Sequence, residues 1–195
     1  MRVLVAGFML FGLAGAAHAE EIVSAYTDID VEKGCTTFDL NVEGGEFANV
    51  ACNCYGGYPV LIYSGDLRES VYYGFPPQGD HVWESFGAFN STGPKIEWRV
   101  LKDGDRTIPF ATIHRWFVSD AEDAEKHTEV LVVSKVGQVK EKDGCVVGLV
   151  LASGNPQAND TARKIADEQA RGFACGADER VSVGDNLPSF DRQQN

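Results

Sequence analysis

The sequence predicts an α+β fold, a mainly antiparallel twisted β-sheet of about six to eight strands packed by one C-terminal α-helix. Three observations lead there. From Cys35 to Ser153 short β-branched and aromatic runs are broken by Gly, Pro, Asn and Asp. Asp103-Gly104 and Asp143-Gly144 are hairpin signals that tolerate positive φ. A single stretch after Asn155 carries apolar residues at helical spacing.

Taken in order, residues 1–19 read as a signal peptide. Arg2 supplies a positive start, an apolar run follows, and Ala17-His18-Ala19 is a small-x-small cleavage site, so the mature chain begins at Glu20. The run is shorter than the roughly 20 apolar residues a transmembrane helix needs, and no second one follows; no Cys stands at the cut to accept lipid. The expected protein is secreted or periplasmic with no transmembrane segment. Residues 20–176 form one β-rich domain, and the polar, Gln-rich stretch 177–195 reads as a flexible tail.

Strands are expected at 47–51, 58–63, 68–73, 95–101, 109–118, 129–136 and 145–151. The two hairpin signals pair 95–101 with 107–118, and 129–139 with 145–151. Ile96, Trp98 and Val100 alternate with Lys95, Glu97 and Arg99, which predicts one buried and one polar face. The strand at 109–118 is apolar on both sides and therefore central, with a bulge near His114-Arg115. Residues 121–126 are acidic and read as a solvated loop. In the helix, Asn155 caps, Pro156 takes the first position, and Ala158, Ala162, Ile165, Ala166 and Phe173 face the sheet. Arg163–Asp167, Lys164–Glu168 and Asp167–Arg171 are i,i+4 pairs on the other face, and Gly176 is the stop.

With 17 basic and 29 acidic residues the net charge is −12. An acidic surface repels nucleic acid and anionic lipid, and leaves solubility or a cationic protein, peptide or glycan ligand as the readings of that charge. Five cysteines in an exported chain predict two bridges and one leftover thiol. Cys145–Cys175 is the natural distal pair. Cys52 and Cys54 point the same way on an extended strand and compete for Cys35; Cys35–Cys52 is preferred, with Cys54 free, and the alternative pairing stays open.

The block 54–75 is the densest unusual stretch. Tyr55, Tyr58 and Tyr72 lie among closely spaced glycines and could form an aromatic ligand surface, with Asp66 and Arg68 orienting the ligand. The competing reading makes these tyrosines core and the glycines turns. Glu97, Arg99 and Arg115 read either as ligand-orienting groups or as a cross-strand ion network on a solvent face. His81, His114 and His127 are too scattered for a metal, and neither a phosphate loop, a complete calcium loop nor a nucleophile elbow is present, so no metal or cofactor is expected.

Gly57-Tyr58-Pro59-Val60, Gly65-Asp66-Leu67-Arg68, Ile96-Glu97-Trp98-Arg99, the run from Pro109 to Trp116, and Lys135-Val136-Gly137 together resemble a group of exported proteins of alphaproteobacteria. The likeness spans most of the mature domain. It implies a bacterial periplasm and carries no activity. The functional expectation is a non-enzymatic binding or accessory protein recognising a protein, peptide or glycan. The alternative is a small periplasmic hydrolase using Cys54 or His114 with a nearby carboxylate.

The exported protein should therefore start at Glu20 and carry two disulfides and one free thiol. Intact mass with and without thiol alkylation measures both; three free thiols, or retention of Met1, would contradict the reading.

Overall fold

A computed structural model describes residues 20–41, 47–79, 81–120, 123 and 126–193; the signal-peptide reading of 1–19 lies outside them, as does most of the acidic loop at 121–126. The strands are β1 (Glu21–Asp28), β2 (Cys35–Asn41), β3 (Phe47–Asn53), β4 (Pro59–Gly65), β5 (Arg68–Tyr73), β6 (Trp83–Phe86), β7 (Asn90–Asp103), β8 (Arg106–Ser119), β9 (His127–Lys135), β10 (Cys145–Leu151), β11 (Val181–Val183) and β12 (Phe190–Gln193). The helices are the one-turn α1 (Val31–Gly34) and α2 (Ala158–Gln169). The fold is α+β and mostly β. Where one sheet was expected there are three, in the orders β1-β7-β8-β9-β10-β11, β2-β3-β4-β5 and β12-β6. Pairing is antiparallel throughout except between β10 and β11.

The β7–β8 hairpin is the spine. Its two 14-residue strands turn at Gly104, which has φ 58° and sits between the paired Asp103 and Arg106. Both faces of this hairpin are covered. Ile96, Trp98, Val100, Trp116 and Val118 meet Val60, Ile62, Val71 and Tyr73 of the four-stranded sheet. On the reverse, Phe110, Ala111 and Ile113 join Leu131, Val133, Val147 and the Ala162, Ile165 and Ala166 face of α2 in a second core. The layers are thus helix, six-stranded sheet and four-stranded sheet. The irregularity expected near His114-Arg115 lies on the opposite strand. Thr92 pairs with Trp116 and Ile96 with His114, so the additional residues belong to β7 around Pro94, whose carbonyl accepts Ile29 N–H. A second bulge falls at Phe110, between the Arg99–Ala111 and Val100–Pro109 pairs.

Two groups on β7 overturn the solvent-face reading. Glu97 and Arg99 are buried beneath α2. Arg163 donates to Glu97 through Nε at 2.7 Å and Nη2 at 3.0 Å, and Ser24 Oγ donates to it at 2.6 Å. Arg99 forks onto Asp167 at 2.8 and 2.7 Å, and its Nη1 donates to Ser24 Oγ. Burial pushes the Glu97 carboxyl up, but the hydrogen bonds from Arg163 and Ser24 outweigh it and hold the group below its ordinary range. Of the helix residues expected to pair along α2, Arg163 and Asp167 therefore pair with the sheet, and Arg171 reaches Glu20, just ahead of β1, at 3.0 Å. A network of this kind adds little net stability but fixes which way α2 lies, since any other orientation strands a buried charge.

Asn155 does not cap directly. Its side chain accepts Gln157 N–H and donates to Leu151 O, closing a turn ahead of a helix that begins at Ala158. The second hairpin pairs as expected, with Cys145 opposite Lys135, but β9 ends at Lys135 and 136–144 forms a loop. The stretch 177–195, read as a flexible tail, instead contributes β11 alongside β10 and β12 alongside β6. Phe190 explains the anchoring: it is buried against Phe86 and Trp116, the ring centroids 4.8 and 6.4 Å away.

Disulfides join Cys35 to Cys52 across the β2–β3 pair and Cys145 to Cys175 beyond α2, leaving Cys54 as the free thiol. They point to an oxidising compartment, and no helix among the described residues is long and apolar enough to cross a membrane. The two large sheets are also tied by a polar bond. His114 is fully buried; its Nε2–H donates to the Gly93 carbonyl at 2.6 Å, which leaves Nδ1 to accept the Tyr73 hydroxyl at 2.7 Å. Burial pushes the His114 ring down to about 4.

Replacing Cys145 and Cys175 together by Ser should cost roughly 2–5 kcal/mol in urea melts, because the bridge pins the end of α2 to β10; an unchanged midpoint and slope would show that it does not form. The His114 ring makes stability pH-dependent. The unfolded ring takes its proton near its ordinary value of 6.5 and the folded one only near 4. Stability from this group is complete above about pH 6.5 and is lost as the pH falls toward 4, to a total on the order of 3 kcal/mol. A His114 ring that titrated near 6.5 in the NMR spectrum of folded protein would contradict the assignment.

Candidate functional site

The five residues expected to share a ligand surface are separated. Tyr55 leans on the core, its ring stacked on Trp98 at 5.9 Å. Tyr58 donates to Gln138 Oε1 at 2.8 Å and meets Phe75 edge-on. Asp66 and Arg68 lie at the far end of the β4–β5 hairpin, ion-paired at 3.2 Å, about 20 Å of strand from Tyr58. The turn there places Asp66 and Leu67 at φ 51° and 56°, and Leu67 is exposed. Tyr72 is buried, with its hydroxyl 3.2 Å from both the Phe75 and Lys142 carbonyls to which it donates. It is wedged between glycines: a Cβ on Gly137 would lie 2.4 Å from its oxygen, and one on Gly144 2.9 Å from its ring. Of the glycines within 54–75 only Gly74, at φ 91°, serves this close approach, pairing directly with Gly137; Gly56 and Gly57, at φ 60° and 82°, form the turn after Cys54.

Of the five, Tyr72 alone reaches a cavity with convergent polar groups. Alternation sends Val60 and Ile62 of β4 inward and Tyr63 to the other face, where Ser70 and Tyr72 of β5 stand beside it. Residues 75–79 and 81–82 lie across this face. The His81 ring stacks on Tyr63 at 3.6 Å and 7°, and its Nε2 sits 2.8 Å from Ser70 Oγ, which also accepts Glu84 N–H at 3.0 Å. Burial lowers His81 to about 4, so the ring is neutral at pH 7. Between these elements and the 141–144 loop is a hollow of about 300 Å³, the size of a residue-scale ligand.

Glu84 and Arg192 close one side of it. Glu84 alternates with Trp83 and Ser85 on β6, and its Oε2 accepts Val146 N–H at 2.9 Å. Its Oε1 stands 3.8 Å from Arg180 Nη1 and 3.9 Å from Arg192 Nε, beyond hydrogen-bond reach. Burial raises the Glu84 carboxyl despite the opposing pull of Val146 N–H and the two arginines. Arg192 arrives on β12, paired in register with Glu84, and its guanidinium makes no hydrogen bond to any described residue; Nε is occluded with Glu84 Oε1 at 3.9 Å as its ion-pair partner. A second depression of about 410 Å³ lies on the other side of the same two residues, floored by Phe173 and Gly176.

The groups named for hydrolysis are differently occupied. Cys54 is half-buried and burial pushes its thiol up to about 11, away from the thiolate a nucleophile requires. Both His114 nitrogens are engaged in the core. Ser70 and His81 form a serine–histidine contact, but Ser70 is wholly buried and already holds the Glu84 backbone. On the helix side, a hollow beside Tyr26 and Phe117 is lined by Lys95, Glu97 and Arg115, which pair with Asp28, Arg163 and Glu129 respectively.

Sequence reasoning passed over His81, Glu84 and Arg192 as ligand-site residues, while Tyr63 lay within the Tyr/Gly block. The available signal was the run Phe75-Pro76-Pro77, an exposed bend after an aromatic strand, followed by a polar residue within Trp83–Phe86. Arg192 had none, because it lies in the stretch whose composition reads as tail. No protein-family model, no curated protein and no solved structure matches the chain.

Proposed function

We propose that this is a non-enzymatic binding or accessory protein of a bacterial periplasm, exported by cleavage after Ala19, that recognises a protein or peptide. The observation that carries the reading is the hollow lined by Tyr63, Tyr72, Pro76, His81, Glu84 and Arg192. It is residue-sized, walled by side chains locked in place by stacking and glycine contacts, and holds a carboxylate and a guanidinium that are ion-paired at 3.9 Å without a direct hydrogen bond. Pre-organised walls with a few convergent polar groups favour recognition, because little ordering cost remains at binding. The net charge of −12 favours a cationic partner through long-range attraction.

A glycan has less support. Tyr63 and His81 stack on each other and Tyr72 is clamped at its hydroxyl, so these rings present less open face for a sugar than three free tyrosines would. The hydrolase has less again, since Cys54 and His114 lack the thiolate character and the accessible nitrogen it needs.

Mature protein should bind a cationic protein such as lysozyme in biolayer interferometry and ignore an acidic protein of similar size. The affinity should fall at least about tenfold between about 20 and 300 mM salt. Equal binding of both proteins, or none of either, would overturn the reading.

A further inference from the structure

We infer that the outer edge of β1 pairs with β1 of a second copy of this chain, antiparallel and centred on Ser24, so that two six-stranded sheets join into one. The inference is independent of the hollow and of the binding reading above.

Sheet edges differ here in how they are finished. A strand edge carries a row of unpaired N–H and C=O groups, which proteins blunt by shortness, bulges, proline, charge or a cover. β11 has three residues, and β6 and β12 have four each. β2 carries a bulge between Thr37 and Asp39. β5 is covered: Glu69 N–H donates to Asn90 Oδ1 at 3.1 Å, and Ser85 Oγ donates to the Glu69 carbonyl at 2.6 Å. β1 has none of these devices. Its eight residues run against β7 without a register shift, no other described strand pairs with it, and none of the eight is buried. From Ile22 to Thr27 it holds no charge, proline or glycine. Both faces of the strand are nonetheless seated, Val23 and Ala25 on one core and Ile22 on the other, so β1 is held in place with its edge open.

The sequence of β1 then selects its occupant. A cationic strand would find no carboxylate to meet along Ile22–Thr27, whereas a neutral strand such as β1 itself fits. Residues opposed across an antiparallel pair point to the same side of the sheet, so a two-fold axis normal to a continuous sheet passes through a residue and its own copy. With the axis at Ser24, Ile22 lies opposite Tyr26 of the second copy and Val23 opposite Ala25, each contact made twice. Tyr26, 54% exposed, thereby gains an aliphatic neighbour. Glu21 meets Thr27. The first like charges to meet are Glu20 and Asp28 at the two ends, and each has a cation of its own chain, Arg171 at 3.0 Å and Lys95 at 2.8 Å. An axis one residue further on, at Ala25, would instead set the Asp28 carboxylate against Ile22 twice. A strand pair of this length is a small interface and copies of net charge −12 repel, so the dimer is expected to be weak, dissociating in the micromolar range.

Sedimentation equilibrium of the full mature chain, with no residue ahead of Glu20, between about 1 and 500 μM tests this. The wild type should pass from monomer to dimer over that range. The dimer should tighten as salt rises from about 20 to 300 mM, because screening removes the repulsion. Hydrogen exchange followed by NMR should show alternate amides of β1 becoming protected as the protein is concentrated. Tyr26→Lys, which sets an ammonium against Ile22 of the other copy, should weaken the dimer at least about tenfold even though it makes the chain less negative. Leu67→Lys makes the same change of charge at the exposed tip of the β4–β5 hairpin and should leave the dimer no weaker. The wild-type measurements decide whether or not the variants fold. A wild type that stays monomeric to about 500 μM, a dimer without alternate protection in β1, or a folded Tyr26→Lys protein that dimerises undiminished would each overturn the inference. So would protection of β1 that develops only on addition of lysozyme, which would give the edge to a cationic partner.

Discussion

Burial of the central sheet on both faces is the constraint from which the rest of the molecule follows. A sheet open to water on one side can carry charge on alternate residues without consequence. One sandwiched between a second sheet and a helix cannot, and the buried charged groups on β7 and β8 have to find partners inside the protein. Glu97, Arg99 and His114 show two solutions. Glu97 and Arg99 recruit Arg163 and Asp167 from α2 and Ser24 from β1. His114 stays neutral and spans from the Gly93 carbonyl to Tyr73 of the opposing sheet. These bonds set the orientation of the layers, while the two apolar clusters supply the driving force.

That constraint also explains where sequence reasoning succeeded. Hairpins and bridges are local or pairwise signals, so the turn at Gly104, the helix face Ala162-Ile165-Ala166 and the Cys145–Cys175 pair could be read from spacing. What alternation could not reveal was a second layer. Lys95, Glu97 and Arg99 look like a wet face, and only the positions of Arg163 and Asp167 in space make two of them interior. The pairs expected along α2 failed for the same reason: a desolvated partner across the interface interacts more strongly than an exposed one a turn away. Strands of three or four residues, such as β11 and β12, fall below the length at which periodicity carries information, and Phe190 was the one large apolar residue to mark the last of them.

The candidate site was legible only at one edge. Tyr72 was singled out among the glycines of its own block, yet the glycines that press on its ring, Gly137 and Gly144, lie in the distant 136–144 loop, and the association is steric. A Tyr/Gly-rich composition signals close packing as readily as an open aromatic surface, and nothing in the one-dimensional pattern separates the two. The groups that make the hollow chemically distinctive come from β6 and β12, which are over a hundred residues apart in sequence but hydrogen-bonded neighbours, Arg192 pairing with Glu84 in register.

The last strand therefore does two things at once. Phe190 and Arg192 stand two residues apart on the same face of β12, one buried against Phe86 and the other lining the hollow. The anchoring residue holds the charged one in place, so a guanidinium that would otherwise be drawn into solvent is kept largely buried without an acceptor. Leaving such donors unpaired costs on the order of 1–3 kcal/mol, a cost the burial of one phenylalanine can offset. Arg192 is not needed to fill the core, and Gln or Lys in its place would leave Phe190 where it is. This separates what holds β12 from what β12 displays, and it is why the chemistry of the hollow can be altered without dismantling the fold that carries it.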